Sequence, residues 1–303
     1  MPRGTSSLRM SLRSHRMGEG TFTNRLRLSS VVNELLGERM DTEAVRRHYN
    51  SVAKDYKSVG MFLERITSKL SISESMCVLD VGCGAGDLTF EIAKVFRPGE
   101  LIGIDVSESQ IELARSELAK TGHPNMEFQR GDASRLPFDD ECFDVVTSNM
   151  VLHLFPDPRE ALFEMYRVLK RSGKIVIHFA GQRPTEGMYH SFLEASWSEV
   201  FERTPFPQLF NIVEVGDIDE WLRELDPSGS VTSWIHNRVH VSKSQCADFK
   251  QSYGIVSGLW RDGLADDEIL RVEKALSRKI DEYYELNDDM RIGGNTILLE
   301  IHK

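Results

Sequence analysis

Cysteine is scarce in this 303-residue chain: Cys77, Cys83, Cys142 and Cys246 are all there is. No two of them form a C-x-x-C pair, and none stands at zinc-finger spacing with histidine. Neither a disulfide framework nor a cysteine-built metal site is expected, and the thiols read as reduced and mostly buried, in a reducing compartment. Long apolar runs are missing too. None approaches the ~20 residues of a membrane span, so no transmembrane segment is expected. Positive charge is in deficit, with 37 Lys and Arg against 47 Asp and Glu and a formal net charge of -10. Phosphate contact needs clustered cations, so nucleic acid is not expected among the partners. Internal repeats are absent.

One segment reverses the charge balance. "MPRGTSSLRMSLRSHRMGEGTFTNRLRLSS" carries Arg3, Arg9, Arg13, Arg16, Arg25 and Arg27, many serines and a single acid, Glu19. Arg-rich, Ser-rich and acid-poor is the composition of an organellar transit peptide, and equally of a disordered basic tail. A natural start at Met40 is a third reading, since "MDTEAVRRHYNSVAKDY" reads like the opening of a domain. Residues 1–40 are therefore set apart from the fold. A cytoplasmic location is expected, with a mitochondrial or other organellar matrix as the alternative if the segment is a transit peptide.

From residue 41 the pattern is regular. A polar helix over 41–56 places Val45, Tyr49, Val52 and Tyr56 on one face. Strands and helices then alternate: "CVLDVG", "LIGIDV", "MEFQRG", "CFDVVTSNMV" and "GKIVIHF" are short β-rich apolar runs with helical periodicity between them. Ser107 and Gln110 form an S-x-x-Q capping box, and Asp157-Pro158 starts a helix with proline in its first turn. Strands buried on both faces, each followed by a helix, predict a parallel doubly wound α/β sheet that binds its ligand at the strands' carboxyl ends. Beyond Phe179 the pattern loosens into helices near 187–202, 217–225, 244–260 and 265–284, a Pro-rich turn at "RTPFPQLF", a strand at "VTSWIHNRVHV", and a final apolar strand. Residues 41–303 read as one domain, with a cofactor-binding core at 76–180, a lid and substrate region at 181–292, and a terminal strand at 294–302.

"VLDVGCGAGDL" raises the question of the ligand. A dinucleotide-binding G-x-G-x-x-G would need a third glycine where Asp87 stands, and a carboxylate is poorly placed against a pyrophosphate. Further acids stand at the same sheet edge: Asp80 ends the first strand, Asp105 the second, and Asp132 follows the third. They suit a ligand with a positive end, two adjacent hydroxyls and an amino-purine. S-adenosylmethionine has all three.

Residues 76–180 resemble the core of class I S-adenosylmethionine-dependent methyltransferases. "VLDVGCGAGDLT" looks like their first motif and "LIGIDVSESQIELAR" like the segment after it. The remainder through "GKIVIHF" is similar as well. "HYNSVAKDY" resembles the lead-in of the small-molecule group that includes the ubiquinone and menaquinone enzymes, with Asn50 and Lys57 where an acid is usual. The resemblance implies a Rossmann-like seven-stranded, mostly parallel sheet with an antiparallel last strand, helices on both faces and helical lid insertions. It implies that Gly82, Gly84 and Gly86 line the turn around the methionine moiety, with Asp80 near its amino group. Asp105 would accept from both ribose hydroxyls, Val106 would pack on the adenine, and Gln110 would join the same cofactor-binding set. Asp132 would bind the adenine amine with Ala133 beside the ring. Asn149 would serve the methionine end, and Tyr49 and Tyr56 would close over the cofactor.

Methyl transfer to an activated carbon asks mainly for proximity and alignment. A base is needed only where the acceptor arrives protonated, and His153 in "NMVLHLF" is the catalytic candidate. Packing is its alternative role. His236 and His240 lack a third ligand, so no metal is expected. Trp197, Trp221, Trp234 and Trp260 all fall in the second half, which points either to an aromatic lid over a small-molecule acceptor that is apolar or flat, or to packing of the lid helices onto the sheet. A D/N-P-P-Y tetrapeptide and the F-G-x-R-N stretch of the quinone enzymes are both missing after the fourth strand. A silent cofactor-binding scaffold or assembly factor, and a protein or RNA methyltransferase, are the rival functions.

Overall fold

A computed structural model of the chain describes residues 42–52, 63–180, 188–202, 211, 213–226, 230–236, 240–246, 264–291 and 296–303. The basic segment 1–40, Tyr56, the Pro-rich turn and most of the helix expected at 244–260 lie outside the described residues.

Two helices precede the sheet, α1 (Thr42–Val52) and α2 (Leu63–Thr67). The expected alternation then follows: β1 (Cys77–Val81), α3 (Asp87–Phe96), β2 (Glu100–Asp105), α4 (Glu108–Thr121), β3 (Met126–Arg130), β4 (Phe143–Asn149), α5 (Pro158–Val168) and β5 (Leu169–Ala180). Local chemistry sets these boundaries. Ser107 caps α4 by accepting from Gln110 N, and Gly122 ends it in the left-handed region at φ 69°. Asp157 caps α5 by accepting from Glu160 N, with Pro158 in the first turn. β5 begins earlier than "GKIVIHF" suggests. Its polar first residues, Lys170 to Ser172, mask a strand that leaves α5 without a loop.

After β5 come α6 (Met188–Val200), α7 (Val215–Leu225), β6 (Ser230–His236), β7 (His240–Ser242), α8 (Asp266–Leu286), β8 (Asp289–Arg291) and β9 (Thr296–His302). The main sheet has seven strands in the order β3-β2-β1-β4-β5-β9-β6. β1 to β5 pair in parallel, and β9 runs antiparallel to both β5 and β6. The single strand expected over "VTSWIHNRVHV" is divided. Its first half becomes edge strand β6, and its end becomes β7, which pairs with β8 in a separate two-stranded ribbon.

Alternate residues of each strand feed opposite layers, as the two-residue period of a strand requires. Leu79, Val146 and Ile177 pack with Leu162, Met165, Ile218 and Leu222 of α5 and α7. Val78, Val145 and Val176 pack with Ile92, Ala93, Ile111 and Ala114 of α3 and α4. Helices thus cover both faces. Each fully buried aliphatic side chain in these layers stabilises by about 1.5–3 kcal/mol. A third cluster joins the insertions to the core: Leu193 and Trp197 of α6 meet Val272, Leu276 and Ile280 of α8, together with Val45 of α1 and Leu154. Among the described residues no helix is long and apolar enough to cross a membrane.

Candidate cofactor site

A cleft lies at the carboxyl ends of β1, β2 and β4. The glycine turn forms its floor. Gly82 N and Cys83 N both donate to Ile104 O, at 2.8 and 3.0 Å, which fastens the turn to β2. Gly82 has φ 72°, and a Cβ there would sit 2.5 Å from Val151 Cγ1. Only glycine combines that conformation with that approach. Gly84, at φ 55°, also faces the cleft. Gly86 does not. It precedes α3 at φ 92°, and a Cβ on it would strike Phe128 at 2.7 Å, so it shapes the turn from below.

Asp105 connects the turn to α4. Its Oδ2 accepts Gly84 N at 2.9 Å and its Oδ1 accepts Ser107 N at 2.8 Å. Burial raises its carboxyl above the usual carboxylate range, and these backbone donors oppose that rise. Each oxygen retains acceptor capacity after one such bond, on the cleft side. Val106, Asp132 and Ala133 continue the wall, and Asp132 Oδ1 is turned back onto Ser134 N and Oγ at 2.9 and 2.8 Å.

Gln110 departs from its sequence reading. The capping box is half made: Ser107 Oγ accepts Gln110 N at 3.3 Å, but the Gln110 side chain does not return to the cap. It turns into the cleft wall instead, and its buried Oε1 and Nε2 both lack a partner among the described residues. Burying an amide unsatisfied costs about 1–3 kcal/mol, so this pair marks a place built for a polar ligand.

Asp80 is displaced from its expected place. It shares the sheet face of Val78 under α3, is 1% exposed, and does not line the cleft. Its Oδ2 accepts Thr89 Oγ1 at 2.7 Å and its Oδ1 accepts Thr147 Oγ1 at 3.0 Å. Burial raises its pKa to about 6, against the two hydroxyls, which lower it.

On the other side stand Asn149 and, on α1, Tyr49. Asn149 Oδ1 shares a hydrogen bond with His178 Nδ1 at 3.1 Å. Met150, at φ 57°, turns the chain out of β4 and donates its N–H to His178 O at 2.6 Å. His153 is buried and is not part of the cleft wall. Ala180 N donates to its Nδ1 at 3.4 Å, and burial alone lowers its pKa to about 4. The geometry does not aim it at a ligand in the cleft. Sequence reasoning missed the wall that follows: Met150, Val151, Leu154, Phe155 and Pro156. The signal was present in the apolar run between Asn149 and Asp157, which reads equally well as core. Among the described residues no cluster of three His, Cys, Asp or Glu could hold a metal.

The donors and acceptors on this wall fit S-adenosylmethionine. Asp105 offers acceptors for a diol, Gln110 and Asp132 offer groups for an amino-purine, and the glycine turn offers close backbone approach.

Comparison with known proteins agrees. The methyltransferase domain family matches residues 72–226. The demethylmenaquinone methyltransferase of Lactococcus lactis is 31% identical over 172 residues, covering 54% of this chain and 68% of the relative. The uncharacterised methyltransferase YcgJ of Bacillus subtilis is 34% identical over 143 residues, covering 45% of this chain and 56% of the relative. The YcgJ crystal structure superposes with a TM-score of 0.55 at 22% identity, covering 80% of this chain and 97% of that one. The [4+2]-cyclase SpnF superposes at 0.56 and 18% identity, covering 88% and 98%. The match to half of the chain, which includes the glycine turn and its acids, shows that this protein belongs to the methyltransferase domain family, as a class I S-adenosylmethionine-dependent methyltransferase.

Proposed function

We propose that the chain methylates a small-molecule acceptor with a flat or apolar body, seated against the wall from Met150 to Pro156. The observation that carries this reading is the composition of that wall. Beyond Asn149 the cleft is lined by Met150, Val151, Leu154, Phe155 and Pro156, with no ionisable side chain among them. Such a surface favours apolar contact and offers little to a charged peptide or a nucleic acid.

Bound S-adenosylmethionine supplies a methyl carbon already activated by its sulfonium. The chain's residues position and enclose. Gly82 and Gly84 let the backbone approach the methionine end, with Gly86 and Asp80 supporting the turn from beneath. Asp105 holds the ribose hydroxyls; Val106, Gln110, Asp132 and Ala133 hold the adenine; Asn149 and Tyr49 close the remaining sides. His153 stays neutral and serves packing. No base stands on the acceptor wall among the described residues, so an acceptor hydroxyl there would lose its proton to water. The relative named for demethylmenaquinone supports a flat apolar acceptor. "NMVLHLF" stands where the quinone enzymes carry F-G-x-R-N, which sets this chain apart from them.

The test is incubation with methyl-labelled cofactor and a metabolite extract. Label in a low-mass, organic-soluble product supports the proposal. Label confined to protein or RNA replaces it with a macromolecular acceptor. Binding of S-adenosylhomocysteine with no labelled product at all replaces it with a cofactor-binding scaffold, an outcome that a fold shared with a cyclase leaves open.

A further inference from the structure

We propose that Asn50 is a positioning residue: it latches α1 onto the N-terminus of α4 and so keeps the cleft closed over the nucleoside end of the cofactor. Its Oδ1 accepts two hydrogen bonds, from Ser107 Oγ at 2.7 Å and from Ser109 N at 3.2 Å. A backbone N–H only donates, so the amide oxygen is the atom that faces α4. The first N–H groups of a helix have no partner within it. In α4, Ser107 satisfies the third position and Asn50 satisfies the second from a different helix. The cap is therefore divided between two elements, and α1 cannot lift away without exposing it.

The latch sits beside the binding groups. Ser107 is fully buried and donates its N–H to Asp105 Oδ1. The same first turn of α4 carries Gln110. On α1, the neighbour of Asn50 is Tyr49, and Thr42, Val45 and Tyr49 all line the cleft. α1 has 11 residues and a largely polar surface, too short and too polar to hold its place by itself. Val45 packs it at one end, among Leu154 and Trp197, and Asn50 ties it at the other.

The proposal rests on the cleft being the cofactor site, and its test separates the two. Stopped-flow release of S-adenosylhomocysteine is compared in the wild type, Asn50→Ala and Asn50→Asp, alongside hydrogen exchange of residues 42–52 in the ligand-free proteins. Asn50→Ala should release the ligand about tenfold faster, a change of about 1.4 kcal/mol, and should lose exchange protection in α1. Asn50→Asp keeps an acceptor at the same place and should match the wild type within about threefold. Ser107→Gly removes the hydroxyl donor with little loss of capping; it should also speed release, and it carries the test if Asn50→Ala does not fold. Wild-type protein that fails to bind S-adenosylhomocysteine overturns the cofactor site, whatever α1 does. Unchanged release and unchanged α1 exchange in Asn50→Ala, or Asn50→Asp behaving like Asn50→Ala, overturns the latch.

Discussion

Asp105 Oδ2 accepts the backbone N–H of Gly84 at 2.9 Å, so the acid at the end of β2 and the glycine turn after β1 are one bonded unit. A substitution at Asp105 therefore acts twice. Asp105→Ala removes the acceptor for the ribose and also leaves Gly84 N and Ser107 N without theirs. Losing charge-assisted bonds of this kind costs about 1.5–3 kcal/mol. Calorimetry should show affinity for S-adenosylhomocysteine reduced by about tenfold to a hundredfold, together with a lowered melting point. Unchanged affinity would place the ribose elsewhere.

The glycines of the turn should differ in what they tolerate. At Gly82 an added Cβ meets both a left-handed backbone and Val151 at 2.5 Å; at Gly84 the nearest atom is Gln110 Oε1 at 3.8 Å. Left-handed backbone costs about 1–2 kcal/mol and overpacking about 1–3 kcal/mol more. Urea unfolding should find Gly82→Ala the more destabilised by at least about 1 kcal/mol. Equal losses in the two variants would show that Val151 yields freely.

The alternation of strands and helices was legible because it rests on local signals: apolar runs of strand length, Ser107 and Gly122 at the two ends of α4, and Asp157-Pro158 ahead of α5. The glycine turn was legible because Gly82, Gly84 and Gly86 all take left-handed backbone, at φ 72°, 55° and 92°, which few other residue types adopt. Asp80 was misplaced for a physical reason. Its position at a strand end was readable, but the closing of its carboxylate away from the cleft depends on Thr89 and Thr147, which lie nine and 67 residues away. Gln110 matched a helix-capping pattern whose second half depends on where the side chain finds room. β7 and β8 are three residues each and pair across some 50 residues of chain, so neither carries a periodic signal. The wall from Met150 to Pro156 is apolar, like core, and only the cleft beside it distinguishes the two.

Asp80 and His153 should give stability opposite dependences on pH. Burial raises the Asp80 carboxyl from its ordinary value to about 6. The folded protein therefore holds a proton that the unfolded chain releases, and Asp80's contribution is full below about pH 4 and lost as pH rises through 6. His153 is lowered to about 4. The unfolded chain binds that proton first, so its contribution is present above about pH 6.5 and lost as pH falls toward 4. Each effect amounts to about 3 kcal/mol. Asp80→Asn should thus match the wild type near pH 4 and gain on it as pH rises to 7, while His153→Gln should gain on it as pH falls. Urea titrations at several pH values measure both differences. Parallel curves at every pH would mean that neither group is perturbed.

Gln110 offers the sharpest separation of stability from binding. Its two amide atoms are buried without partners among the described residues, and they line the cleft. In the ligand-free protein that arrangement is a cost, since an unsatisfied buried amide destabilises by about 1–3 kcal/mol. Gln110→Met keeps the length of the side chain and removes both polar atoms. The ligand-free variant should therefore melt at a higher temperature than the wild type. If the amide meets the cofactor, the same change removes a bond on binding, and affinity for S-adenosylhomocysteine should fall by about tenfold, or 1.4 kcal/mol. A gain in stability with a loss in affinity is the expected signature of a residue kept for its ligand rather than for the fold. Thermal unfolding with and without S-adenosylhomocysteine reads both at once, as a higher starting temperature and a smaller shift on adding ligand. A variant that melts lower than the wild type and binds as tightly would show that Gln110 is a packing residue, its amide satisfied within the protein.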